Sequence, residues 1–225
     1  MQNQNPQPEL KHCAPLVNRR LIGVSGPDAA EFLQNVMTAD IRSVTADKMV
    51  YGLLLTPQGQ LLHDFFVSPQ PARDDAFLLD VYAERAEDLL SRLSAFKLRA
   101  KVDFNALDPA VVQIYAHPSE GFADPRRPAM GCRLYTGNVP AGAPRGTLDD
   151  YIDFCTRRGI PDTPAMLPQK DFVADLNLDL LGAIAWDKGC YIGQEVTARM
   201  HYKGLAKKRL MLVEGRDIAE GDMLF

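Results

Sequence analysis

The sequence predicts an α+β fold built on antiparallel sheets, and three observations carry that prediction. Strand patterns meet across tight turns: the 50–56 and 61–68 runs flank Pro57-Gln58-Gly59, which is turn chemistry. Amphipathic helical spacing lies between such runs, as in Ala29, Phe32, Leu33 and Val36, at i, i+3, i+4 and i+7. Strands and helices are interspersed with hairpins and show no regular βαβ alternation, which favours antiparallel pairing.

The elements follow in order. Residues 16–25 read as a strand, and Gly26-Pro27-Asp28 opens a helix. Proline suits the first helical position, and an aspartate complements the positive helix end. Tyr51, Leu53 and Leu55 alternate in the next strand, 61–68 returns as its hairpin partner, and 76–81 is a further strand. Ala86, Leu89, Leu90 and Leu93 mark a second helix; 100–104 and 111–116 read as strands. Residues 118–144 are rich in Pro and Gly and form a long connection with one short strand near 132–135. Thr147 with Asp150 resembles a capping box with Asp in place of Glu. The helix they open uses Leu148, Tyr151, Ile152 and Cys155 and stops at Gly159-Ile160-Pro161.

Composition narrows the function. The net charge of -4 excludes a general polyanion binder, so no stable nucleic-acid binding is expected. No run reaches the ~20 apolar residues of a membrane span, so no membrane association is expected. The start is Gln, Asn and Pro, with neither the apolar stretch of a signal peptide nor the arginines of a transit peptide. That points to the cytoplasm, or to the mitochondrial matrix in a eukaryote. Cys13, Cys132, Cys155 and Cys190 form no CxxC and have no His at zinc spacing, so a self-contained metal site is not expected.

The most unusual stretch is Asp187-Lys188-Gly189-Cys190-Tyr191-Ile192-Gly193-Gln194-Glu195. Gly189 permits backbone angles closed to other residues, and Gly193 allows close approach or a helix start. A tight turn, Lys188 nearby and helix amides pointing back would favour the Cys190 thiolate, the form that attacks or ligates. Chemistry alone leaves a second reading equally open, a small buried residue. The carboxylate of Glu195, beside Gln194, could accept paired hydrogen bonds from the amide-like edge of a pterin. From Val196 to Val213 there is no acid, while Arg199, Lys203, Lys207, Lys208 and Arg209 all fall there. Such a window suits an anion; a solvated basic face is the alternative.

Lys188 to Glu195 resembles the K-G-C-[FY]-x-G-Q-E signature of the folate-binding YgfZ/GcvT-like family, which is related to the glycine-cleavage aminomethyltransferase. Gly26-Pro27-Asp28-Ala29, Thr38-Ala39-Asp40, the 51–65 hairpin, Phe96-Lys97-Leu98-Arg99-Ala100-Lys101-Val102 and Arg158-Gly159-Ile160-Pro161 resemble other family blocks. The resemblance covers roughly 15–215. It implies antiparallel sheets and flanking helices around a central cavity that accepts tetrahydrofolate or a derivative. It also implies a C-terminal β-barrel that is truncated or largely absent here. The implied divisions are a disordered lead over 1–14, a first α+β part over 15–117, a second over 118–205, and the start of the barrel over 206–225.

The family supports assembly or repair of iron–sulfur proteins, including tRNA-modifying cluster enzymes, so client or assembly proteins are the implied partners. The resemblance assigns Cys190 and Lys188 as catalytic, with Cys190 also a transient cluster ligand. It assigns folate contacts to Glu195, Gln194, Tyr191, Gly193, Arg199 and Asp80. An aminomethyl transferase and a scaffold with a relic cavity are the alternatives. The transferases' Asn-Ala pair would fall at Asp80-Val81, which does not match.

Overall fold

The computed structural model describes residues 13–71, 73, 75–107, 112–115, 121–128, 130–135, 144–161, 163–213 and 215. A five-stranded antiparallel sheet dominates. It comprises β2 (Arg19–Ser25), β3 (Val50–Leu55), β4 (Leu61–Pro69), β5 (Ala76–Tyr82) and β6 (Asp103–Ala106), in the order β3-β4-β5-β2-β6. Every residue of β3 is buried, so its alternation sorts side chains between two cores. Tyr51, Leu53 and Leu55 enter one cluster, with Leu21 and Phe66. Val50 and Leu54 enter the other, with Ile22, Leu79 and Val81. Each fully buried Leu, Val or Ile is worth roughly 1.5–3 kcal/mol, which is the main term holding the layers together.

Two helices cover the second cluster. In α1 (Ala29–Val36) the buried residues are Ala29, Phe32, Leu33 and Val36, the predicted face. In α2 (Ala86–Lys97) they are Ala86, Leu89 and Leu93, whereas Leu90 is half-buried. The first cluster is covered by α3 (Leu148–Arg157), by the 160–191 stretch, and by a four-stranded sheet of order β1-β7-β9-β8. Its strands are β1 (Ala14–Pro15), β7 (Val112–Tyr115), β8 (Phe122–Ala123) and β9 (Cys132–Tyr135). This sheet joins the chain on both sides of residue 117, because β7 pairs antiparallel with β9.

Residues 1–12 of the expected lead lie outside the described residues. Cys13 and Ala14 do not belong to it: both are buried, and Ala14 pairs with Ile114. The strand expected at 100–104 is displaced to Asp103–Ala106, because its partner β2 sets the register, with Ser25 opposite Asp103. Two-residue β8 was not expected, since two residues carry no periodic signal. The capping box is complete: Thr147 accepts from the Asp150 amide, and the Asp150 carboxylate accepts from the Thr147 amide. Among the described residues no strand follows α4 (Gln194–Tyr202), and 216–225 lie outside them. No helix of the described residues is long and apolar enough to cross a membrane.

Candidate functional site

The Cys-containing stretch is pinned to the fold from both ends. Thr38, just after α1, accepts the Leu53 amide through Oγ1 at 2.9 Å and donates that hydroxyl to the Ala183 carbonyl at 2.6 Å. Its own carbonyl accepts the Ala185 amide at 3.0 Å. Lys188 follows three residues later and is buried. Its Nζ donates to the carbonyls of Gln34, Met37 and Ala39 at 2.7, 2.7 and 2.8 Å. These carbonyls lie at the C-terminal end of α1, where a cation is favoured. Burial nevertheless pushes the Lys188 ammonium down to about 8.

The three N–H donors of Lys188 are thus spent on backbone, rather than aimed at the neighbouring thiol as the sequence suggested. Tyr191 is buried in the first core cluster, its hydroxyl pushed up to about 12 by burial and then by Tyr202. Its ring also receives the Lys188 ammonium, 5.4 Å from the centroid.

Gly193 sets the next anchor. Its φ of +84 is left-handed, and an added Cβ would stand 2.5 Å from the Thr56 carbonyl oxygen and 3.3 Å from Gly59 Cα. Gly59, in the β3–β4 turn, would in turn press a Cβ to 3.1 Å of Val196. Two glycines back to back therefore let the start of α4 sit on the hairpin turn. Gly189 has no such role: it lacks a left-handed φ, and nothing lies within 4 Å of where its Cβ would be. The turn is fixed by Lys188, Tyr191 and Gly193, not by both glycines.

Cys190 sits exposed between the buried anchors Lys188 and Tyr191, while Cys13, Cys132 and Cys155 are buried. Of the two readings left open by chemistry, the buried one does not hold. Glu195 is exposed in the first turn of α4 and pairs with Arg199 one turn on, at 2.8 Å. Gln194 is half-buried beside it.

A hollow of about 260 Å³ adjoins α4, lined by Trp186, Thr197, Met200, His201, Asp179 and Arg209 among others. Thr197, Met200 and His201 lie two, five and six residues beyond Glu195. At 100° per residue they occupy the opposite side of the helix. Neither Cys190 nor Glu195 lines this hollow. Sequence reasoning missed it, although His201 falls in the acid-free window it singled out and stacks at 3.8 Å on Trp186, the residue just before Asp187.

Asp80, assigned to folate by resemblance, is fully buried on β5. Arg19 Nε donates to its carboxylate at 2.7 Å, Arg133 Nη1 donates to the other oxygen, and Tyr135 approaches that oxygen at 3.3 Å. Burial would raise its pKa; Arg19 and Arg133 outweigh that and hold it below the ordinary value. Both oxygens are used and neither reaches an open surface, so the fold gives Asp80 a structural part in an ion network. Among the described residues, no group of three or more His, Cys, Asp or Glu could hold a metal ion.

The chain is similar to several known proteins. The GCVT N-terminal domain matches residues 18–115. The chain is 36% identical over 217 residues to the mitochondrial iron–sulfur cluster assembly factor IBA57 homologue of Pyricularia oryzae, covering 87% of this chain and 55% of that protein. It is 33% identical over 235 residues to mouse IBA57, an iron–sulfur cluster assembly factor, covering 90% of this chain and 66% of that protein. The chain thus spans about half the length of the fungal relatives it matches. A crystal structure of aminomethyltransferase T from Bartonella henselae aligns with a TM-score of 0.41 at 23% identity, over 45% of this chain and 28% of that one. With the signature residues set on this α+β scaffold, residues 18–115 belong to the GCVT N-terminal domain family.

Proposed function

We propose that the chain is an accessory factor in assembly or repair of iron–sulfur proteins, acting through Cys190. The observation that supports this reading is the presentation of the thiol: it is exposed, yet its neighbours on both sides are locked into the fold. A thiolate at such a place can ligate iron with little ordering cost, because the backbone is already fixed. Protein-held four-iron clusters take four cysteine ligands, and among the described residues no group of three or more His, Cys, Asp or Glu is placed to hold a metal ion. Cys190 therefore contributes one ligand to a transferred cluster, and the remaining ligands come from a client or assembly protein. Lys188 is a positioning residue, acting through the carbonyls after α1 rather than on the sulfur.

Tetrahydrofolate is the proposed small-molecule ligand. Glu195, Gln194 and Arg199 supply an acceptor and donors on the exposed start of α4, with Tyr191 and Gly193 setting that helix in place. The described residues fit a pterin edge in chemistry but do not enclose it, since the adjacent hollow is on the other side of α4.

The test is complementation. In a strain lacking this protein, Cys190→Ala is expected to abolish maturation of a four-iron enzyme while stability changes by no more than about 0.5 kcal/mol, as for an exposed substitution. Full maturation with that variant would refute the role. Titrating tetrahydrofolate against Trp186 fluorescence tests the ligand separately. Saturable quenching, weakened about tenfold by Glu195→Gln for the loss of a charged acceptor, is expected. An unchanged signal up to millimolar ligand removes folate from the account and leaves the thiol role standing.

A further inference from the structure

The block from Phe96 to Val102, singled out in the sequence, plays no part in the cysteine site. Leu98 ends α2 with a φ of +46 and a ψ of -106, and the Ala100 amide closes the turn on the Lys97 carbonyl at 2.8 Å. These angles lie near the values, about +60 and about -120, of the first central position in a type II′ turn, which glycine fills without strain. A leucine there is strained, and this one is 88% exposed. Glycine would serve the turn better and a polar side chain would suit the water. Neither the backbone nor the core accounts for a leucine at this position.

The turn is fixed at its base. The Asp28 carboxylate, just before α1, accepts the Lys101 amide at 2.7 Å, the Asp28 amide donates to the Lys101 carbonyl at 3.4 Å, and Val102 is buried. A side chain presented from a fixed turn loses little further entropy when a pocket receives it. Arg99 and Lys101 flank the leucine, exposed and without an ion pair among the described residues, whereas Lys97 lies 3.7 Å from an Asp103 oxygen.

The turn is far from the last described residues. In its neighbourhood α2 begins with Arg85 Nη2 donating to the Met166 carbonyl at 2.8 Å, and it then runs 12 residues, about 18 Å, to Lys97. Leu210, Met211 and Leu212 share a groove with Pro164 and Ala165, at the starting end of α2. The Leu98 turn is joined instead to the cysteine site, through α1. Asp28 at one end holds the turn, and the Gln34, Met37 and Ala39 carbonyls at the other hold Lys188. The 8 residues of α1 span about 12 Å, well within a standard interface, which is roughly 30 Å across.

We propose that the Leu98 turn is a docking point for the iron–sulfur client protein, whose surface receives Leu98 in an apolar pocket rimmed by carboxylates that meet Arg99 and Lys101. The partner's identity rests on the function proposed above; the presentation of Leu98 does not. A lipid surface fits less well. One leucine carries far less apolar area than a myristoyl chain, which alone gives only marginal membrane binding, and a fluid bilayer has no use for a turn fixed in place.

The test titrates the full chain against a dye-labelled four-iron enzyme stripped of its cluster, the same enzyme whose maturation is scored by complementation. The unaltered chain is expected to bind with a Kd of about 10 μM or tighter. Leu98→Gly should weaken binding about tenfold or more, as for loss of a side chain that fills a pocket, while its urea midpoint stays level or rises because strain is relieved. Leu98→Met, a volume-conserving change, should bind within about threefold of the unaltered chain. Arg99→Glu with Lys101→Glu should weaken binding about tenfold or more through charge reversal. Leu180→Ala, which trims an exposed leucine elsewhere, should leave binding unchanged.

Three results overturn the proposal: no binding by the unaltered chain, unaltered binding by Leu98→Gly, or a lowered urea midpoint in that variant, which would make the leucine a folding residue. Leu98-dependent retention on phosphatidylserine vesicles without enzyme binding would assign the turn to a lipid surface, and a Leu98-dependent dimer would assign it to a second copy; each also overturns it. The two readings fail separately. Full maturation by Cys190→Ala removes the thiol role, whereas unaltered enzyme binding by Leu98→Gly removes the docking point.

Discussion

At the residue scale, Gly193 and Gly189 separate what the signature needs from what it merely contains. Gly193 combines a φ of +84 with a Cβ position 2.5 Å from a backbone oxygen, which no side-chain movement relieves. Gly193→Ala should therefore cost about 1–3 kcal/mol, as left-handed strain does, read from urea unfolding. Gly189→Ala should stay within about 0.5 kcal/mol, since its Cβ meets open space. If both variants lose stability equally, the anchoring scheme is wrong. The sequence showed two glycines around a cysteine, but their difference depends on the Thr56 carbonyl, which is far along the chain. Lys188 is similar: its proximity to the thiol was legible, while its three acceptors at the end of α1 were not.

At the element scale, local signals served helices well and strands less well. The α1 face and the Thr147–Asp150 capping box are short-range patterns, and the structure reproduces both. The position of β6 is a long-range matter of pairing with β2, which propensity over 100–104 cannot see. One long-range pair predicts a pH response. His63 of β4 is buried, and its Nε2 lies 2.7 Å from an Asp88 carboxylate oxygen on α2. Burial lowers the His63 pKa, more than Asp88 raises it. Below an ordinary value of about 6.5 the unfolded chain takes up a proton before the folded one does, so stability falls as pH drops. Urea midpoints should fall from about pH 7.5 to about pH 5.5, and His63→Gln, which keeps a donor for Asp88, should flatten that slope. An unchanged slope in the variant would place the titrating group elsewhere.

At the scale of the whole molecule, the two sheets meet over buried charge. Arg19, Arg133 and Arg126 stand against Asp80 and Asp124, with Arg133 3.8 Å above the Phe66 ring and Tyr151 accepting from both Arg126 and Arg133. Asp80→Ala leaves two buried guanidiniums short of a partner and should cost about 3–5 kcal/mol. A loss below ~1 kcal/mol by urea unfolding would mean the network is not maintained in solution. The partners are 61 and 53 residues apart in the chain, so sequence patterning gave no hint of them; the family resemblance even assigned Asp80 to a ligand. What the same long-range packing does for the cysteines carries the functional account: it buries Cys13, Cys132 and Cys155 and leaves Cys190 at the surface. Limited alkylation of the native chain with iodoacetamide, followed by peptide mass mapping, tests this most directly. Modification concentrated at Cys190, with the other three labelled only in urea, is the predicted result; a protected Cys190, or even labelling of all four without denaturant, would contradict it.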